Sequence, residues 1–109
     1  MTEKSKKYQF DILMAIDLIE KFTVGITDFN LYQNDLKTQS AVERQLAIIG
    51  EALNQLKKVK PDLKIEHDKQ IIGFRNRLVH VYDSIDSSIV WAIINRHLKE
   101  LKKEIQALQ

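Results

Sequence analysis

An all-α chain, folded as an up-and-down bundle of four to five helices, is the architecture that three observations predict. Apolar residues recur at steps of three and four along most of the sequence. Punctuation is sparse, with 3 Gly and 1 Pro in 109 residues, which leaves few turns for hairpins and sheets. Leu, Ile, Lys, Glu and Gln, all good helix formers, are abundant. A chain of this length holds one ordinary core, so residues 1–109 are expected to form a single domain.

The first helix is read from "QFDILMAIDLIEKFTVG". There Phe10, Leu13, Ile16, Leu18, Ile19 and Phe22 recur at helical spacing and Gly25 stands near the end. "TDFNLYQNDLKTQ" is more polar. It predicts a short helix starting at Thr27 or Asp28, then a turn around Asn34 and Asp35. From Ser40 to Lys58 the stripe Val42, Leu46, Ile49, Leu53, Leu56 steps by 4, 3, 4 and 3. Ser40 as N-cap with Glu43 three residues later has the form of a capping box. Gly50 inside that helix costs about 1 kcal/mol relative to alanine, which is explained most simply by a close helix crossing. Pro61 stops the helix because it cannot donate to the ladder. A third long helix is predicted from Glu66–Asp68 to Tyr82, and "DSID" breaks it. The last helix is predicted over Ser87–Leu108, capped by Asp86 or Ser87. Its inner face is Val90, Ile94, Leu98, Leu101, Ile105 and Leu108.

Composition excludes several chemistries. With no cysteine there is no disulfide, thiolate metal site or cysteine nucleophile. No metal site is expected, because His67, His80 and His97 show no ligand spacing with carboxylates, and no cofactor is called for. No apolar run approaches the roughly 20 residues that span a bilayer, and no apolar signal core follows the basic N-terminus. The expected location is the cytoplasm, with no membrane partner. A net charge of +2 is too weak to argue for nucleic acid by itself, so any RNA contact must be a local patch.

Functional interest concentrates in "GFRNRLVHVYDSID", residues 73–86. At about 100° per residue, Ile71, Phe74, Leu78 and Val81 share the bundle-facing side. Ile72 and Val79 form a second, smaller apolar strip, which predicts a subunit interface and hence a homodimer. Asn76 and His80, four apart, are neighbours on one face. Arg75 and Tyr82, seven apart, share another. Arg75 and His80 stand about 140° apart on an ideal helix. Periodicity alone leaves plainer roles open: a structural histidine, surface salt-bridge arginines, a helix-end tyrosine and a hydrogen-bonding asparagine. Arg44 and Glu51, seven apart on one face of the second long helix, read as a structural pair or as support for the site.

"RNRLVHVY" resembles the signature of the HEPN superfamily (higher eukaryotes and prokaryotes nucleotide-binding). That signature is an arginine followed by a polar residue, four to six residues in all, then a histidine; four separate Arg75 from His80 here. Tyr82, two places after the histidine, narrows the likeness to HepT-type toxins. "ERQLAIIGEALNQL" and "IIGFRNRLVHVYDSIDSSIVWAIINRHLKEL" also look like family segments, and the likeness covers roughly residues 8 to 105. The resemblance implies a metal-independent endoribonuclease, dimeric, with two motifs brought together across the interface. It implies the toxin of a toxin–antitoxin pair. The partner would be an MntA-type minimal nucleotidyltransferase that silences the toxin by adding AMP to Tyr82. Arg75, Asn76 and His80 are then the expected catalytic residues. Arg77 is either an added RNA contact or an interface salt bridge.

The residue types suit that chemistry. RNA carries its own nucleophile, the 2′-hydroxyl. Its attack on phosphorus needs a proton acceptor, a donor to the leaving 5′-oxygen and a cation for the phosphorane charge. Histidine exchanges protons near neutrality, with an ordinary pKa of about 6.5. Arginine binds phosphate oxygens in bidentate fashion. Asn76 can orient the imidazole or donate to the phosphate. Two other classes fit the sequence: a non-catalytic helical nucleotide- or RNA-binding module, and a pure interaction partner of a nucleotidyltransferase.

Overall fold

The computed structural model describes residues 2–80 and 85–109, with the side chains of Val79 and His80 outside that description. All regular structure among the described residues is helical. In chain order it comprises α1 (Glu3–Phe22), α2 (Phe29–Gln33), α3 (Leu36–Val59), α4 (Asp68–His80), α5 (Ser87–Arg96) and α6 (Leu98–Gln106). None of these helices is long and apolar enough to cross a membrane.

Side-chain caps set most of the helix starts. Thr2 Oγ1 accepts from Ser5 N–H at 3.1 Å and starts α1. Asp28, one of the two expected caps, accepts from Leu31 N–H at 2.9 Å and starts α2. Asp86 accepts from both the backbone N–H and the hydroxyl of Ser88, at 2.8 and 2.6 Å, and starts α5. Gly25, just beyond α1, has φ +83, the left-handed conformation that glycine enters without Cβ strain.

Two boundaries and two buried faces differ from the sequence expectation. The helix predicted from Ser40 begins at Leu36, and its cap is Asp35. Asp35 accepts from Thr38 N–H at 3.0 Å and from its hydroxyl at 2.7 Å. These two hydrogen bonds start the helix upstream and leave Ser40 inside it. The single C-terminal helix is interrupted at His97, which lies between α5 and α6. The interruption is shallow: His97 N–H donates to Ile93 O at 2.9 Å, and Leu101 N–H donates to His97 O at 3.0 Å. Its inner face follows Val90, Ile93, Leu98, Leu101 and Ile105, so Ile93 takes the buried place expected of Ile94. Phe10 and Phe22 are exposed rather than inward. The buried face of α1 is Ile12, Ala15, Ile16 and Ile19.

α3 is the central element. Val42, Leu46, Ile49, Leu53 and Leu56 are all buried along it, as the 4-3-4-3 stripe predicted. It packs most extensively against α1 and next against α4, while α6 and α5 complete the enclosure from the α1 and α2 sides. Lys57 near the end of α3 is ion-paired with Asp68 at the start of α4, which holds the Asp68 carboxyl below its usual range. That contact bridges the Pro61 connection and orients α4 on α3. Ile71 and Phe74 point inward from α4, and Leu78 packs partly buried against the same core. Ile72, assigned above to a second, outward strip, also packs against the core. Val79, its companion in that strip, has its side chain outside the described set.

Candidate ribonuclease site

The site is built where α4 crosses α3. Gly50 makes the crossing possible: a Cβ there would lie 2.3 Å from Arg75 Cβ and 2.8 Å from Arg75 Cγ. No real pair of carbons tolerates that approach, so the missing side chain is the space that the Arg75 stem occupies. The close crossing expected at Gly50 is thus present, and its partner is the arginine of the motif.

From this crossing the Arg75 side chain reaches Glu51 on α3. Arg75 Nη2 and Glu51 Oε2 are 2.8 Å apart. The other carboxylate oxygen, Oε1, accepts from Gln55 Nε2 at 3.1 Å. Arg75 Nη1 donates to Asn76 Oδ1 at 2.9 Å. The Arg75 side chain is 25% exposed and the Glu51 side chain 45%. The guanidinium therefore stands at the surface, held from two sides and open on a third.

It opens onto a groove of about 560 Å³ between α1 and α3, lined by Lys7, Tyr8, Asp11, Arg44, Ile48, Glu51, Gln55 and Arg75 among others. Lys7 is paired with Asp11 at 2.9 Å. Arg44 is exposed and carries no ion pair among the described residues. The Arg44–Glu51 pair read from helical spacing is replaced by Arg75–Glu51, because α4 brings a guanidinium closer to the carboxylate.

The motif's other members are distributed around α4. Asn76 is exposed beside Arg75. Arg77 faces away from this groove and lines another, with Phe74, Ser88, Ile89 and His97. His80 is the last residue of α4, and its side chain lies outside the described set. Tyr82 lies wholly outside the described residues. The structure thus brings Arg75 and Asn76 together, separates Arg77 from them, and adds Glu51 as the ion-pair partner of Arg75.

A second titratable cluster lies at the junction of the α3–α4 connection with α6. The His67 and His97 rings stack with centroids 4.0 Å apart, and His67 Nε2 is 3.8 Å from Glu100 Oε2. Ligand-capable atoms of Glu66, His67 and Glu100 all fall within 4.8 Å of one another, a grouping invisible in sequence spacing. Two of the three residues are exposed carboxylates. Burial, and then the charges of His67 and Arg96, hold the His97 imidazole below its ordinary range.

An all-helical bundle that presents a clamped arginine at a helix crossing, within an Arg-Asn-x-x-x-His sequence, is the class of domain that the HEPN resemblance implied. Comparison with known proteins agrees. The family described as Ribonuclease HepT-like matches residues 12–108, and the chain belongs to that family. A protein of Thermococcus cleftensis named "Probable ribonuclease HepT" is 34% identical, over 100% of this chain and 99% of its own. A Methanocaldococcus jannaschii protein with a provisional RNase name is 33% identical over 93% of each chain. A Caldanaerobacter subterraneus protein, also provisionally named an RNase, is 28% identical over 94% of this chain and 92% of its own. No solved structure gives a significant match.

Proposed function

We propose that this chain is the toxin of a toxin–antitoxin pair, a metal-independent endoribonuclease with Arg75, Asn76 and His80 as its catalytic residues. The observation that carries the reading is the placement of Arg75. A permanently charged, bidentate phosphate ligand is held at the mouth of a surface groove by Glu51 and Asn76, in a chain of the ribonuclease HepT-like family. In this reading the guanidinium binds the scissile phosphate and stabilises the phosphorane charge as it develops. In a homodimer the 2′-hydroxyl attacks beside Arg75 of one protomer, its proton passes to the His80 imidazole of the other, and the imidazolium so formed gives a proton to the leaving 5′-oxygen. The products are a 2′,3′-cyclic phosphate and a free 5′-hydroxyl. An MntA-type nucleotidyltransferase neutralises the toxin by attaching AMP to Tyr82. The added phosphate then competes for Arg75 and the adenosine fills the groove.

The test is cleavage of RNA by protein purified without its partner, in excess chelator, with the product ends identified. Chelator-resistant cleavage that leaves cyclic phosphate is expected, and His80→Ala should abolish it while the helical spectrum is retained. Activity that vanishes with chelator and returns with Mg²⁺ would overturn the metal-free mechanism. Co-expression with the transferase should add AMP mass to the wild type and none to Tyr82→Phe. A Phe variant that still gains AMP removes Tyr82 from the switch.

A further inference from the structure

We infer that Glu51 is the positioning residue for Arg75, and that it sets the direction in which the guanidinium meets a phosphate. This inference rests on the ribonuclease reading above and extends it to a residue outside the motif.

The geometry carries it in three steps. Arg75 has a long, rotatable stem, and such a side chain left free at a surface points at a phosphate only part of the time. Here the stem is confined at its base, because Gly50 lets Cβ and Cγ lie against the α3 backbone. The head is then fixed by two contacts of different kinds: the 2.8 Å ion pair from Nη2 to Glu51 and the 2.9 Å hydrogen bond from Nη1 to Asn76. Glu51 is itself braced, since Gln55 donates to its second oxygen at 3.1 Å. Gln55, Glu51, Arg75 and Asn76 thus form one chain of hydrogen bonds across the α3–α4 crossing. The guanidinium has five N–H donors in a fixed plane, so donors remain for phosphate after both contacts are made.

A carboxylate in this place is informative. Glu51 is an anion beside the expected anion-binding group, which opposes RNA in its ground state. Its presence is accounted for if order in the guanidinium matters more than maximal charge. The expected signature is therefore a split. Loss of Glu51 lowers kcat, because the arginine is misaimed in the transition state, while KM stays level or falls, because a repelling charge is gone.

The experiment compares wild type with Glu51→Ala and Glu51→Gln in single-turnover and steady-state RNA cleavage. Circular dichroism of each variant checks the fold, and nitrogen NMR of the Arg75 guanidinium reads its rotational freedom. Glu51→Ala should lose about 10- to 100-fold in kcat, the scale of a small misplacement of a reacting group, with no rise in KM. Its Arg75 resonances should show free rotation. Glu51→Gln keeps an acceptor oxygen without the charge, and should recover kcat to within about threefold of wild type while KM stays at the low value. Full kcat in Glu51→Ala, or an Arg75 head that stays ordered without Glu51, overturns the inference. So does a Gln variant as impaired as the Ala variant. A wild type that cuts no RNA overturns the ribonuclease reading instead. The guanidinium spectrum still decides, independently of activity, whether Glu51 orders Arg75.

Discussion

The density of consequence is highest at Gly50. Alanine in place of a mid-helix glycine normally stabilises by about 1 kcal/mol. Here the new methyl meets Arg75 Cβ and Cγ, the stem of the side chain rather than its pliant end, at 2.3 and 2.8 Å. Overpacking of this kind costs about 1 to 3 kcal/mol. Relief requires α4 to lift from α3. Gly50→Ala is therefore expected to lower the melting temperature and to reduce RNA cleavage at least about tenfold, since Arg75 moves with α4. Unchanged melting and unchanged cleavage would show that the crossing has slack. Tyr32 gives a prediction of opposite sign. It is fully buried against Trp91, with ring centroids 5.3 Å apart. Its hydroxyl is buried and has no hydrogen-bond partner among the described residues, and burial pushes its pKa up. An orphaned hydroxyl costs about 1 to 3 kcal/mol, so Tyr32→Phe should raise the melting temperature. A fall would mean that the hydroxyl is satisfied in solution, for example by a trapped water.

Among elements, the break between α5 and α6 has a titratable group at its centre. His97 serves both helices and stacks on His67, with Arg96 and Glu100 as its charged neighbours. Its folded-state pKa is depressed, so the unfolded chain takes up the proton first as pH falls. The contribution is fully present above the ordinary histidine value of about 6.5. It is lost as pH drops through that value toward the lower folded one. Melting temperature should therefore decline between about pH 7.5 and 5.5, and His97→Gln should flatten that limb. Equal slopes in the two proteins would assign the decline elsewhere. The same junction shows what the sequence could carry. The stripes of α3 and of the C-terminal helices were legible because burial follows the 3.6-residue period. The hitch at His97 was not, since no Gly or Pro marks it and the ladder continues on both sides. Asp35 was missed as a cap because the polar turn at its side chain and the helix it starts share one stretch, "NDLKTQ". At the site, Gly50 could be read as a close crossing. Glu51 could not be matched to Arg75, because they stand 24 positions apart and only the packing of α4 on α3 joins them.

For the whole molecule, the open question is how one protomer's motif becomes a complete site. Arg75 and His80 stand about 140° apart on an ideal α4, while the Arg75 guanidinium is turned onto α3 by Glu51. The motif therefore does not converge on one point through helical geometry alone. In the proposed homodimer an isologous interface brings each motif face to face with its copy. Each site then draws Arg75 from one protomer and His80 from the other. This makes a prediction that neither single substitution can make. Arg75→Ala and His80→Ala homodimers should both be inactive. Co-expression or joint refolding should generate heterodimers in which one site is intact and the other lacks both groups. If protomers mix at random, half the molecules carry one good site of two, so about a quarter of wild-type activity should return. The measurement is RNA cleavage by the mixture, with light scattering to verify the dimer and differently tagged subunits to isolate the heterodimer. A mixture as inactive as its parents, in a proven heterodimer, would mean that Arg75 and His80 of the same chain serve one site. The second protomer would then contribute only buried surface.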